Sequence, residues 1–422
     1  MLARDRFSIF AGWPFGARCA VEKPLAGIRV IELASWAALP GGGAILADWG
    51  AEVLKIEDPR GGDPTRGFSL TPAPDGSVQV APIWEQNNRG KKSIALDGRT
   101  TAGRDALRRL VARADVFMTS SRPQSLERQG LSYPALREAN PRLIYAHLSG
   151  YGPKGDDSWR PGFDMLCFWA RAGIAKGLAG PGQDPINQRP AMGDHAASIA
   201  IAGAVSAALF QRERTGQGQF IQASLYHTGL WINSVDVVTS FITKQDAAPL
   251  TRWMVQNPLV NSYKTKDGWM QLVNLQSDRF WQPLCRAVSR PDLAADARYA
   301  TMERRAEHGA ALVGTFAQEF AKRTTAEWGP LLDAEDIRWG RIQSVLEATQ
   351  DPQAHANGYF QTLEHLEAGS VTVVTSPIIF GDTPPQAQGA APLLGRHTEE
   401  VLLESGFSWE ELERLKASGA IL

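Results

Sequence analysis

The sequence predicts an α/β fold in which a parallel sheet forms the larger part of the molecule. Short apolar runs alternate with helix-like segments over the first half of the chain, and the first two runs, 27–33 and 51–57, flank a turn and a small-residue helix. A β–turn–α–β unit of this kind builds parallel strands through right-handed crossovers. The pattern changes after about Trp231, where a hairpin-like segment and a series of helices follow.

The elements of the first half follow from run length and composition. Short continuous apolar runs predict strands that are buried on both faces, at 27–33, 51–57, 93–96, 115–118, 143–146 and 220–225. Helices are predicted at 41–49, 101–114, 126–140 and 196–212. The last of these is rich in alanine, which favours helix and allows close packing on a sheet.

The second half predicts a smaller α+β domain. Residues 263–272 read as a hairpin with Lys266-Asp267-Gly268 as its turn, helices follow over 279–350, and strands return at 371–380. This order fits a Rossmann-like large domain with a smaller α+β domain inserted late in the chain.

Composition limits the classes of function. The chain has 422 residues and a formal net charge of -1, so no field favours nucleic acid or a membrane surface. Cys19, Cys167 and Cys285 match no zinc spacing and indicate reduced thiols in a cytoplasmic protein. The apolar stretch in 1–20 is interrupted by Trp13-Pro14 and Arg18, which favours a loose N-terminal arm or a misassigned start over a signal peptide.

Asp194 is the most informative single residue. It lies in Ala191-Met192-Gly193-Asp194-His195, directly before the predicted helix 196–212. A helix N-terminus favours negative charge, which suits a carboxylate that must stay ionised to act as a nucleophile. The same position suits an ordinary N-cap, so the residues alone leave both readings open.

The remaining motifs have equally plain structural readings. The first βα turn, 35–43, is not GxGxxG, which argues against NAD or FAD, and Gly41 to Gly43 serve either helix packing or a ligand. Basic loops at 88–93 and at Arg122 and Arg128 are phosphate contacts or solvated surface. Asp164 is a turn residue or a site carboxylate, and the histidines are spread too widely to indicate a metal site.

Seven segments, in order over about residues 24–421, resemble the family III CoA-transferases, a group that includes formyl-CoA transferase, carnitine CoA-transferase and the α-methylacyl-CoA racemases. The matching segments are 25–33, 50–57, 62–67, 140–146, 193–194, 214–219 and 394–398. The resemblance implies an N-terminal arm at 1–23, a large Rossmann-like domain from both chain ends at 24–230 and 381–422, a linker at 231–260 and a small α+β domain at 261–380. It also implies an interlocked homodimer.

The resemblance further implies a reaction and its residues. Asp194 matches the family's nucleophile, which exchanges CoA between an acyl-CoA donor and a carboxylic acid acceptor through an aspartyl-CoA thioester, and Asp164 is the second site carboxylate. CoA is then a substrate and not a resident cofactor. The positions that line CoA in the family fall on Ser35, Trp36, Ala37, Ala38, Leu96, Arg99, Ser120, Ser121, Arg128 and Leu225.

At three positions the sequence differs from the family pattern, and these differences bear on the expected substrate and reaction. Asp58 stands where formyl-CoA transferases carry a basic residue, and Ala37 replaces a polar side chain near the acyl group. Phe163 stands where the racemases carry a histidine, so an acyl-CoA racemase is the disfavoured alternative, beside a catalytically silent acyl-CoA-binding homologue. Aromatic residues at Trp36, Phe163, Phe168 and Trp169 indicate either a bulky apolar acyl group or plain core packing.

Overall fold

The structure is a computed structural model that describes residues 22–72, 76, 78–248, 251–253 and 255–422. Cys19 and nearly all of the predicted N-terminal arm lie outside these residues. The strands of the described part are β1 Arg29–Leu33, β2 Glu52–Glu57, β3 Thr71–Pro72, β4 Gln79–Val80, β5 Lys92–Ala95, β6 Val116–Thr119, β7 Ile144–Ser149, β8 Phe220–Ser224, β9 Val260–Lys264, β10 Trp269–Val273, β11 Trp339–Ile342, β12 Phe360–His365 and β13 Gly369–Val374.

The helices of the described part are α1 Ala38–Asp48, α2 Pro82–Asn88, α3 Thr101–Ala112, α4 Pro123–Gln129, α5 Tyr133–Ala139, α6 Ile174–Gly177, α7 Met192–Thr215, α8 Leu225–Ile232, α9 Ser234–Thr243, α10 Ser277–Ala287, α11 Pro291–Ala295, α12 Met302–Glu307, α13 Gly309–Phe320, α14 Thr325–Asp333, α15 Val345–Thr349, α16 Pro352–Ala356, α17 Thr398–Glu404 and α18 Trp409–Ala417. Short 3-10 turns lie at Pro64–Gly67 and Ala297–Tyr299, and a π-helical turn lies at Met165–Ala170.

A six-stranded parallel sheet organises the larger unit, in the order β5-β2-β1-β6-β7-β8. This confirms the predicted α/β class and the parallel sheet. The chain first builds outward from β1 to β5 and then continues on the other side of β1, from β6 to β8. The strand order therefore reverses between β1 and β6, and the crevice outside the carboxyl ends of these two strands is where such sheets bind ligands.

Helical layers cover both faces of the sheet. Ile31, Leu54 and Phe117 pack with α3, α4, α5, α17 and α18 in one apolar cluster. On the other face, α1 is buried along its whole length and packs against α7. A Cβ at Gly41 would come within 2.4 Å of Ser198 Oγ, so the glycine run permits the close approach of these two helices.

The C-terminal segment returns to this unit as helices. We predicted a parallel sheet built from both chain ends, but all six strands lie within residues 29–224. The end of the chain adds a single antiparallel bridge, between Leu96 and Ile421, and buries α17 and α18 on the sheet. That part of the prediction is corrected: the C-terminal end supplies cover for the sheet and not strands.

The chain divides into two compact units. The described residues of 22–174, 188–237 and 357–422 form the first, and those of 175–187 and 238–356 form the second. The hairpin β12–β13 was expected in the small domain; it belongs to the first unit and hydrogen bonds through Val374 to Gln86 of α2. The second unit has an antiparallel sheet, β11-β10-β9, over a core of Tyr263, Phe316, Phe320 and Trp328, and the predicted turn 266–268 joins β9 to β10.

Within the described residues, α7 is the helix that is long and apolar enough to cross a membrane by length and composition. Its buried residues, among them Ile201, Val205 and Leu209, pack against α1, β7 and β8. One side of α7 is therefore packed within the larger unit.

Candidate active site

Two cavities meet at the carboxyl ends of β1 and β6, where the strand order reverses. The larger has a volume of about 670 Å³ and the smaller about 450 Å³, and both are lined by Ser35, Trp36, Ser120 and Ser121. These four residues follow the two strands directly, so the topology itself brings them together.

The other residues predicted to line CoA fall into three groups. Ala38 and Leu225 line the larger cavity, and Leu96 and Arg99 line the smaller one. Ala37 lines neither and is buried under the first turn. Arg128 also lines neither cavity: it is exposed at the end of α4.

Asp194 lines the larger cavity from the first turn of α7. The helix begins at Met192, four residues before the predicted start, so Asp194 is a helical residue and not an N-cap. The cap position is Ala191, whose φ of 62° lies in the left-handed region and whose side chain offers no hydrogen bond. The carboxylate is therefore fixed on a regular helix and projects into the cavity.

The environment of Asp194 opposes its ionisation. Burial, together with the nearby negative charge of Asp164, raises its pKa from 3.8 to about 7. We expected the helix N-terminus to keep this group ionised; the loss of hydration outweighs that effect. Near pH 7 the carboxyl is consequently divided between its charged and neutral forms.

Asp164 lies behind the cavity wall and not on it. Its carboxylate accepts a hydrogen bond of 2.6 Å from Gln188 Nε2 and another of 2.7 Å from the backbone N–H of Met165. The side chain is buried and held by these donors. In this structure Asp164 therefore acts on Asp194 through its charge.

Two residues close to Asp194 on α7, His195 and Ser198, connect this helix to α1 and α2 by hydrogen bonds. The Ser198 Oγ lies 2.7 Å from the carbonyl oxygen of Ala38 and 2.9 Å from that of Asp194. His195 lies 3.0 Å from Asn87 Oδ1, with Nε2 as the donor, and burial lowers its pKa. The His195 ring is thus hydrogen-bonded to Asn87 of α2.

Aromatic rings form one wall of the larger cavity. Trp36 meets Phe163 edge-on at 5.4 Å and Phe68 at 5.8 Å. Phe168 and Trp169 are buried and do not line the cavity, and a Cβ at Gly193 would come within 2.4 Å of Phe168. For these two residues the core-packing alternative is the correct one.

Three of the charged side chains that line the smaller cavity form ion pairs with one another. Arg99 lies 3.0 Å from Asp58 and 2.7 Å from Asp97, and Arg60 lies 3.1 Å from Asp58. The side chains of Arg99 and Arg60 are more than half exposed, and water therefore screens these pairs. Asp58 thus partners Arg99, which explains how an acidic residue is accommodated here.

Several lining residues were not predicted. His147, Trp159, Arg160 and Gln222 all line the larger cavity, as does Arg122, whose loop the sequence left open between phosphate contact and solvated surface. His147 and Gln222 are register partners on β7 and β8, and burial lowers the pKa of His147. Their position near the carboxyl ends of predicted strands was a signal in the sequence that could have identified them.

The profile of CoA-transferase family III matches residues 25–398. The chain belongs to CoA-transferase family III. It is therefore a transferase of the EC 2.8.3 type, and a family III enzyme of this kind uses a CoA thioester and a carboxylic acid as its substrates.

Individual family III relatives cover almost the whole chain. An (R)-2-hydroxy-4-methylpentanoate CoA-transferase from Clostridioides difficile is 32% identical over 94% of this chain and 99% of its own. A cinnamoyl-CoA:phenyllactate CoA-transferase from Clostridium sporogenes is 32% identical over 94% of this chain and 97% of its own. The crystal structure of Rv3272 from M. tuberculosis is 30% identical and superimposes with a TM-score of 0.79, covering 89% of this chain and 98% of that one.

Proposed function

We propose that this chain transfers CoA from an acyl-CoA donor to a carboxylic acid through an aspartyl-CoA thioester on Asp194. The observation that supports this most directly is the Asp194 carboxylate, fixed on a helix and facing a cavity at the reversal of the strand order. Asp194 would attack the thioester carbonyl, forming a mixed anhydride and releasing CoA thiolate. The thiolate would attack the aspartyl carbonyl, releasing the first carboxylate. The acceptor carboxylate would then attack the aspartyl thioester, forming a second mixed anhydride and releasing CoA thiolate again. This thiolate would attack the acceptor-derived carbonyl of the anhydride, giving the new acyl-CoA and the free carboxylate of Asp194.

The raised pKa of Asp194 gives this mechanism a pH dependence. Only the ionised carboxylate attacks, so covalent capture should rise with pH through about 7 and then level off. A poorly hydrated carboxylate is also a better nucleophile than one in water, because less solvent must be removed before attack. Burial of Asp194 therefore opposes ionisation of the carboxyl but favours its attack on the thioester once it is ionised.

The cavity supports a bulky or apolar acyl group. Trp36 and Phe163 provide an aromatic wall, and aromatic walls favour apolar ligands. Two relatives are named for a branched aliphatic 2-hydroxy acid and for aryl acids, which is the same chemical range. Arg122 and Arg160 on the same cavity favour a second carboxylate as the alternative, and a donor panel distinguishes the two.

CoA would lie across the two cavities. The backbone and small side chains of the first turn would contact the pantetheine arm, and Arg99 is the basic group available to a phosphate in the smaller cavity. Arg99 would have to leave Asp58 to make that contact. Asp164 would influence the reaction by its charge. Ala37 and Arg128 are the weakest of the proposed contacts because they line neither cavity.

Two alternatives predict different experiments. A racemase needs proton-moving groups across the substrate α-carbon, and Phe163 offers none in the place where the racemases carry a histidine. A racemase would exchange the α-proton of its substrate for solvent deuterium, whereas the proposed transferase would not. A silent acyl-CoA-binding homologue would bind CoA and form no covalent species.

The deciding experiment is capture of the acyl-enzyme. The protein is incubated with a panel of acyl-CoA donors, treated with hydroxylamine, and the peptide around Asp194 is examined by mass spectrometry. A hydroxamate on Asp194 that is absent in Asp194→Ala, and retained in the exposed control Asp157→Asn, supports the transferase. Measurable CoA binding without modification by any donor would overturn the covalent mechanism.

The proposal extends to assembly and location. The predicted interlocked homodimer is supported by apolar side chains exposed on α8 and α9, since Trp231, Val235, Phe241 and Ile242 are each at least 70% exposed in the single chain. Sedimentation should give twice the mass of the chain, and the mass of one chain would refute the dimer. The division into a large and a small domain, with the β12–β13 hairpin in the larger unit, remains part of the proposal. So do the cytoplasmic location and the absence of nucleic-acid or membrane partners.

A further inference from the structure

A group of charged residues lies buried directly beneath the first βα turn. The side chains of Glu32, Lys55, Asp63 and Lys91 are at most 1% exposed, and their charges balance. Glu32 and Lys55 are register partners on β1 and β2, and their charged ends lie 3.0 Å apart. Buried charges are expensive unless they are paired in this way, so the network needs a reason to exist.

Three members of the network are hydrogen-bonded to the turn above them, and Glu32 joins the two lysines. Lys55 Nζ donates to the carbonyl oxygen of Ala34 at 2.9 Å, and Lys91 Nζ donates to that of Pro40 at 2.8 Å. Between these two points, the backbone N–H of Trp36 donates to Asp63 Oδ1 at 3.3 Å. The turn is therefore held at its start, its middle and its end by charged side chains that cannot move.

The middle contact coincides with a strained backbone. Trp36 has a φ of 72°, in the left-handed region that a tryptophan adopts only when its surroundings hold it there. The ring of Trp36 forms the cavity wall with Phe163. If the turn relaxed to an extended conformation, the ring and the adjoining backbone would leave that wall.

We propose that Asp63 is a positioning residue for donor recognition: it holds Trp36 in its strained conformation, and Lys55, Glu32 and Lys91 fix Asp63 and the ends of the turn. Glu32, Lys55 and Lys91 line neither cavity, so they act through the turn and not on the substrate. The proposal rests on the proposed function only in identifying the ligand as an acyl-CoA.

Asp63 itself is well placed for this role. Its Oδ2 lies 2.9 Å from Lys55 Nζ, and its Oδ1 also accepts hydrogen bonds from the backbone N–H of Thr65 at 2.9 Å and from its hydroxyl at 2.8 Å. The ion pair and these hydrogen bonds hold the pKa of Asp63 below its ordinary value, so the acceptor stays charged. One carboxylate thus connects the strained turn to the buried lysine.

The test compares two substitutions of Asp63 with a buried control. Asp63→Ala removes the acceptor for the Trp36 N–H, whereas Asp63→Asn removes the charge and keeps an oxygen. Asp48→Asn is the matched control, because Asp48 is as buried and pairs with Arg89 at 2.6 Å but lies at the far end of α1. The measurements are urea stability, the Kd for CoA and for a bulky acyl-CoA, and kcat and KM.

We expect all three variants to lose stability and only Asp63→Ala to lose binding. Its Kd and KM for the bulky donor should rise about tenfold, which is the scale of the strain at a non-glycine residue with positive φ. Asp63→Asn should stay within about threefold of the parent and Asp48→Asn within about twofold, as expected of variants that keep the turn. Saturating donor should restore most of kcat in Asp63→Ala.

Two results would overturn the positioning role. If Asp48→Asn raised Kd and KM as much as Asp63→Ala, the effect would be general loss of structure. If Asp63→Asn were as damaging as Asp63→Ala, the charge and not the hydrogen bond to Trp36 would matter. Should Asp63→Ala fail to fold, Thr65→Val, which removes the hydroxyl that orients Asp63, is expected to raise Kd about threefold, and an unchanged Kd would refute the proposal.

Failure of this inference is distinguishable from failure of the proposed function. The Kd measurements need no covalent chemistry, and hydroxylamine capture on Asp194 is recorded in the parent chain beside them. Absence of the hydroxamate in the parent would sink the covalent mechanism and leave the Kd comparison valid. Presence of the hydroxamate with equal Kd values in all variants would sink the positioning role alone.

Discussion

Replacement of Asp194 by asparagine should stabilise the folded protein at alkaline pH. The pKa of Asp194 is raised from 3.8 to about 7 by burial and by Asp164. A carboxyl with a raised pKa holds its proton more tightly in the folded state, so its contribution is fully present below pH 3.8 and is lost as the pH rises to about 7. At about 1.4 kcal/mol per pH unit, ionisation of Asp194 destabilises the fold by about 4 kcal/mol above pH 7 and by about 2 kcal/mol at pH 5.

The assay is urea unfolding of the parent and Asp194→Asn at pH 5 and pH 8, at equal protomer concentration. The free energy of unfolding of the variant should exceed that of the parent by about 4 kcal/mol at pH 8 and by only about 2 kcal/mol at pH 5, because asparagine stands in for the neutral carboxyl. Asp157→Asn is the control: Asp157 pairs with Arg160 and Arg171 and its pKa is lowered, so its loss should not stabilise the protein at pH 8. A stability difference for Asp194→Asn that did not change with pH would refute the reasoning.

Three further predictions address the neighbours of the site. Asp164→Asn removes the charge that helps to raise the pKa of Asp194, so the pH midpoint of hydroxamate formation should fall below 7; an unmoved midpoint contradicts this. Asp58→Asn frees Arg99 from its 3.0 Å ion pair, so calorimetry should show tighter CoA binding at low salt, and weaker binding would count against Arg99 as a phosphate contact. Gly43→Ala places a Cβ 2.1 Å from Glu32 Oε2, so urea unfolding should show a loss of stability of about 3 kcal/mol. Gly203→Ala is the control: its added Cβ meets no atom within 4 Å, so this variant should not lose stability.

The sheet was predictable because most of its strands are buried. β1 and β2 appear in the sequence as short, largely apolar segments bounded by turns, and the hairpin β9–β10 is marked by Asp267-Gly268. Helix boundaries were less predictable. Helix 126–140 is in fact α4 and α5, separated at Gly130 with a φ of 65°. Helix α7 begins at Met192, after the left-handed cap residue Ala191, which carries no sequence signal.

The candidate site likewise has a part that the sequence predicts and a part that only the structure shows. Residues such as Ser35 and Ser120 follow strands directly, so topology alone brings them together once the strand order is known. The pKa of Asp194 depends on burial and on Asp164, thirty positions away in sequence, and neither quantity is visible in a local motif. Glu32 and Lys55 form a buried ion pair only because the register of β1 and β2 aligns them.

The hydroxyl of Ser198 links the helix that bears Asp194 to the turn that would receive CoA. Because Gly41 and Gly42 also bring α1 against Ser198 and Ile201, α1 and the first turns of α7 form one stiff body with no slack between them. A mutation that shifts one helix must shift the other. The distance between the first βα turn and the Asp194 carboxylate is therefore the distance in the site that a mutation can change least. New substrate ranges, in natural divergence or in laboratory selection, should therefore arise at Trp159, Phe163 and their neighbours, which project from the loop after β7 and can change without moving either helix.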